Sequence, residues 1–156
     1  MPPTHQYQLQ LDWTGNLGTG TSAYRAYTRD YQIQIATKPI LYGSADHAFR
    51  GDPTRYNPEE LLLGALSSCH LLWFLHLCAE AKVIVTAYTD LPVATMREGA
   101  DGSGQFTEAI LRPRVTVAES PMISQLEALH QRANQMCFIA RSVNFPVRHE
   151  ASATIA

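Results

Sequence analysis

The sequence has little charge, little cysteine and no obvious leader. Acidic and basic residues make up 17% of its 156 positions and leave a formal net charge of −2. No block of basic residues occurs, so nucleic acid is not an expected partner. There are three cysteines, Cys69, Cys78 and Cys137. An odd number argues against a structural disulfide framework. The opening stretch MPPTHQYQLQ lacks a positive segment followed by an apolar one. No signal peptide is therefore expected, and the expected location is cytoplasmic. Internal repeats, low-complexity tracts and linkers are missing, which predicts one domain over residues 1–156. A Ser-His-Asp constellation, a phosphate loop and a dinucleotide fingerprint are missing too.

Apolar residues are plentiful, at 46%. They concentrate in Asn57 to Lys82, NPEELLLGALSSCHLLWFLHLCAEAK. Asn57 can cap a helix, Pro58 suits its first position, and Glu59 and Glu60 place negative charge at its N-terminus. The uncharged run from Leu61 to Ala79 is roughly long enough to span a bilayer. Ser67, Ser68, His70 and His76 interrupt it, and no Lys/Arg cluster flanks it, so a buried core helix is predicted instead and no membrane partner.

Around this helix the sequence alternates. Strands are predicted over Gln6–Thr14, Thr21–Tyr27 and Asp30–Ala36, with a short one at Ile40–Tyr42 and a further one around His47–Arg50. After the helix come a strand over Val83–Met96 and a turn at Glu98–Gly104. A return strand follows over Phe106–Ala118. A second helix runs from Ser120 to about Ile139, with Cys137 in its last turn, and Val143–Ile155 closes as a strand. Strands adjacent in sequence pair antiparallel, so the predicted class is α+β.

Cys69 lies about three turns into the long helix, too far for the helix dipole alone to activate it. An activating cation must come from elsewhere; Arg50, Arg55, Arg25 and Arg29 are the candidates. Glu59 is offset from Cys69 by about 80° around the helix and Glu60 by about 180°. Glu59 is thus the better placed to hold an arginine over the thiol. Cys78 faces away from Cys69 and reads as core. His70 and His76 invite a metal reading, but helical geometry points them apart from the cysteines. No metal or cofactor is expected. His130 and His149 have no nameable partner.

The motif NPEELLLGALSSCH, followed about seventy positions later by CFIARSV, resembles the OsmC/Ohr family of osmotically inducible and organic hydroperoxide resistance proteins. So does the Phe-x-Gly of Phe49–Gly51 before the helix. The resemblance implies an α+β fold with a long buried central helix wrapped by antiparallel sheet, in an intertwined homodimer with active sites at the interface. It implies a thiol peroxidase for organic hydroperoxides. Cys69 attacks the peroxide and becomes a sulfenic acid, Cys137 resolves it as a disulfide, and a dithiol reductant, lipoyl-type in some members, restores both. Glu59 orients an arginine that stabilises the thiolate.

The sequence departs from the family pattern at three places. Ala48 stands where many members carry the arginine, and Arg50 two positions along a strand would keep the same face. Phe138 replaces a proline after the resolving cysteine. His70 stands where an aromatic is common. Leu62, Leu66, Leu72 and Trp73 would supply an apolar substrate wall. Two alternatives remain: a non-catalytic or redox-sensing protein of the same fold, and a thioesterase-like domain, which lacks its mid-helix carboxylate.

Overall fold

A computed structural model describes residues 2–156. Contacts divide the chain into two compact units, 1–61 and 62–156. In the first, β1 (Gln10–Trp13), β2 (Tyr31–Gln34) and β3 (Leu41–Gly43) form an antiparallel sheet in that order. Ile33 is the central residue, paired with Leu11 on one side and Leu41 on the other. The predicted strand at Thr21–Tyr27 does not form. The segment is a series of turns held by Arg29, which donates to the carbonyls of Tyr27 and Tyr24, both at 2.8 Å. The predicted strand around His47–Arg50 is instead a 3-10 turn over His47–Phe49, capped by Asp46.

The long helix, α1, runs Pro58–Glu80. Its start is a reciprocal capping box: Glu60 N–H donates to Asn57 Oδ1 at 2.8 Å and Asn57 N–H donates to Glu60 Oε2 at 3.1 Å. By length and composition α1 could cross a membrane, and 22% of its apolar window is buried. Its buried residues, Leu66, His70, Phe74 and Cys78, recur every fourth position and so form one stripe. Leu72 and Leu75 on other faces remain exposed.

The second unit carries two three-stranded sheets. One is ordered β4 (Val85–Asp90), β7 (Pro113–Val117), β9 (Ser152–Ile155); the other is β5 (Val93–Glu98), β6 (Gly104–Leu111), β8 (Val147–His149). The long predicted strands are each broken in two. Leu91 and Pro92 separate β4 from β5, and Arg112, whose N–H donates to Asp90 Oδ1 at 2.6 Å, separates β6 from β7. The fold is α+β as expected, but the sheets are mixed. β8 and β9 lie parallel to β6 and β7. The second helix, α2, spans Ile123–Met136, so Cys137 is its C-terminal cap and not part of its last turn. Phe74 and Cys78 from α1, Val115 and Val117 from β7, and Leu126 and Ala133 from α2 meet in the core.

Candidate active site

The C-terminal end of α2 delivers Cys137 to α1. Cys137 is buried and Cys69 is half-buried, and neither is in a disulfide. The two thiols, distant in sequence, are neighbours. Burial, and then weak thiol–thiol hydrogen bonding to Cys69, push the Cys137 thiol up to about 11, opposed by the Ala140 N–H. That N–H donates to Cys137 Sγ at 3.3 Å. Cys78 lies in the core, where burial pushes its thiol up to about 11, which makes it an inert packing residue.

Beside Cys69 a cavity of about 510 Å³ opens, lined by Cys69, Leu72, Trp73 and His76 from α1 and by Phe138 and Ile139 beyond α2. Trp73 meets Phe138 and His76 edge-on, each with ring centroids 5.7 Å apart. The walls are apolar, so the space suits an organic group. Leu72 and Trp73 line it as expected. Leu66 does not, because it turns into the interior with 1% exposure, and Leu62 is not among the lining residues.

In the first unit, Glu59 Oε2 is buried and has no hydrogen-bond partner. Burial, and then the Glu59 charge, raise the pKa of the Tyr31 hydroxyl. Tyr31 packs over Gly43, where any Cβ would collide with its ring. Gly51 is equally constrained, since a Cβ there would run into the Ala45 carbonyl. Arg50 follows a 3-10 turn with φ of 65°, so the same-face argument from a strand does not apply to it. Its guanidinium lies 5.9 Å from the Tyr24 ring centroid. Arg55 is engaged by Asp52 at 3.4 Å and Asp30 at 3.9 Å, and Arg29 by the two carbonyls already described. Among the described residues of this unit, no arginine pairs with Glu59.

Sequence reasoning missed the surroundings of His70. His70 Nε2 and His130 Nδ1 are 3.0 Å apart and hydrogen-bonded. Both rings are buried, and His130 stacks on Phe74 with centroids 3.9 Å apart. His149 completes the group, its centroid 5.9 Å from His70 and 5.5 Å from His130. Its Nε2 meets Glu127 Oε1 at 3.3 Å. Burial first, then His149, hold His70 down to about 4, against the pull of Asp90. Burial, His70 and His149 hold His130 down to about 3, against Glu127. Both are therefore neutral at neutral pH. The one legible signal was two histidines on otherwise apolar helix faces. Among the described residues, no group of three or more His, Cys, Asp or Glu side chains is arranged to hold a metal ion.

A family model described as OsmC-like protein matches residues 51–152. An OsmC-like protein of unknown function from Vibrio cholerae is 28% identical, with a TM-score of 0.86 over 96% of this chain and 100% of that one. An organic hydroperoxide resistance protein from Elizabethkingia anophelis superposes with a TM-score of 0.69 at 14% identity, covering 99% and 100% of the two chains. One from Legionella pneumophila gives 0.69 at 14% identity, covering 97% and 99%. These last two likenesses establish the fold alone. No curated protein matches the sequence.

Proposed function

The chain belongs to the OsmC family, and from that premise we propose that it is a two-cysteine thiol peroxidase acting on organic hydroperoxides. The observation that carries this reading is that Cys69, which lines an apolar cavity of about 510 Å³, has the buried Cys137 as its neighbour. The Cys69 thiolate attacks the outer oxygen of the hydroperoxide. The O–O bond breaks, the leaving alkoxide takes up a proton and departs as an alcohol, and Cys69 is left as a sulfenic acid. The Cys137 sulfur then attacks the Cys69 sulfur. The S–O bond breaks, and hydroxide leaves as water with the proton that Cys137 still carried. A dithiol reduces the disulfide by exchange and is itself oxidised.

The unpartnered Glu59 Oε2 supports its role as holder of an arginine. A buried carboxylate oxygen without a donor is costly, and a guanidinium would satisfy it. Arg50 is the proposed cation, with Arg25 the other candidate left, since Arg29 and Arg55 are already engaged. In this reading the exposed side of α1 is covered in an intertwined homodimer, and the protein acts in the cytoplasm.

The test is a single turnover with one equivalent of cumene hydroperoxide. The wild-type protein loses two thiols together and regains both with dithiothreitol. Cys69→Ser consumes no peroxide, and Cys137→Ser completes at most one turnover without added thiol. Steady turnover by Cys69→Ser overturns the assignment.

A further inference from the structure

The histidine group lies against both helices that carry the two thiols. His70 directly follows Cys69 on α1, and His130 precedes Cys137 by seven residues on α2, about two helical turns. Apart from the His70–His130 hydrogen bond, α1 and α2 meet through non-directional apolar packing: Phe74 stacks on His130, and Phe74 and Cys78 share the core with Leu126 and Ala133. Stacked rings can slide at little cost, whereas a hydrogen bond of 3.0 Å fixes both distance and direction.

The pair also carries a cost that stability alone does not explain. His70 Nδ1 and His130 Nε2 are buried with no partner. Whichever tautomer forms the shared bond, one ring N–H is left unpaired. Two apolar side chains of similar size would avoid that penalty.

We propose that His70 and His130 are positioning residues for disulfide formation, their hydrogen bond setting the spacing between α1 and α2 that keeps Cys137 beside Cys69. The role rests on the peroxidase reading only in its second step, attack of Cys137 on the oxidised Cys69. A single proton leaves the link intact, as an imidazolium donating to a neutral imidazole; only when both rings are protonated do two donors face each other and break it. The groups that face the pair are His149 from β8, Asp90 at the end of β4 and Glu127 on α2. The two acids favour protonation, while burial and the third imidazole oppose it.

The experiment reads how the Cys69 sulfenic acid divides between disulfide and a dimedone adduct after one equivalent of cumene hydroperoxide. This ratio does not depend on how fast the sulfenic acid forms. Wild type, His130→Leu and His130→Gln are compared at pH 7, with near-ultraviolet circular dichroism to confirm the fold. His130→Leu shifts the ratio toward the adduct by roughly tenfold or more, since small misplacements of reacting atoms are expensive. His130→Gln, which keeps a donor and an acceptor, restores it. A wild-type ratio in folded His130→Leu overturns the proposal.

Where His130→Leu does not fold, His130→Asn decides, since its shorter amide cannot keep the 3.0 Å link to His70. Its ratio moves toward the adduct while that of His130→Gln stays near the wild-type value. A wild-type ratio in folded His130→Asn overturns the proposal. If the wild-type protein consumes no peroxide, the peroxidase reading fails by itself. Diamide then drives the same disulfide, and its rate of formation in the three proteins tests the spacing role: slow in His130→Leu and restored in His130→Gln upholds it, equal rates overturn it.

Discussion

Acidifying the protein protonates two imidazoles that the fold keeps neutral, and the loss of stability can be worked out from their environments. His70 is held down to about 4 and His130 to about 3, against an ordinary value of 6.5. A group whose folded pKa is depressed binds fewer protons in the native state than in the unfolded chain. Stability is therefore flat above about pH 7 and falls once the pH drops below 6.5, where only the unfolded chain takes up protons. Each unit of separation is worth about 1.4 kcal/mol. His70 alone therefore costs roughly 3 kcal/mol by pH 4. The two rings titrate as a coupled pair, so their contributions do not simply add, and the total is on the order of 5 kcal/mol. That is a large part of the stability of an ordinary domain. Lowered carboxylates such as Glu127 act in a different window, losing their stabilising contribution only as the pH falls through the carboxylate range. Urea midpoints at pH 7.5, 6.5, 5.5 and 4.5 measure the effect. The wild-type midpoint falls steeply below pH 6.5, and the drop is much smaller in the double variant His70→Phe, His130→Phe. Equal slopes for the two proteins refute the neutral-pair argument.

Three other outcomes follow from the packing. Asn57→Ala removes the side-chain half of the capping box and lowers stability by about 1 kcal/mol in denaturant titration. Phe74→Ala empties a fully buried site stacked on His130 and costs about 3–5 kcal/mol by the same measurement. Phe138→Ala strips one wall of the cavity beside Cys69; in steady-state kinetics KM for cumene hydroperoxide rises several-fold while the rate with hydrogen peroxide changes little.

The helix was readable because its signals are local. Asn57, Pro58 and Glu60 lie within one turn of each other, and the apolar run behind them is long enough to exclude a strand. The strand errors have local causes as well. Thr21–Tyr27 has strand-like composition, but Arg29 gathers the carbonyls of Tyr24 and Tyr27 and winds the segment into turns. Pro92 marked an irregularity in Val83–Met96 but not a full break between two sheets. The parallel pairing of β8 and β9 with β6 and β7 joins segments well apart in the chain and leaves no periodic trace.

The candidate site divides in the same way. Cys69 and Cys137 were named from motifs, and the structure makes them neighbours. Arg50 was named on a strand argument that the 3-10 turn at His47–Phe49 removes. The His70–His130 bond spans sixty residues of sequence, so neither member could announce the other.

Two sulfurs that already lie side by side need little travel to bond. In the proposed cycle, shuttling between dithiol and disulfide leaves helix content, strand registry and hydrodynamic size as they were. Far-ultraviolet spectra and gel filtration would be blind to that exchange. Alkylation followed by mass measurement, which counts free thiols one by one, is the readout suited to the proposed chemistry.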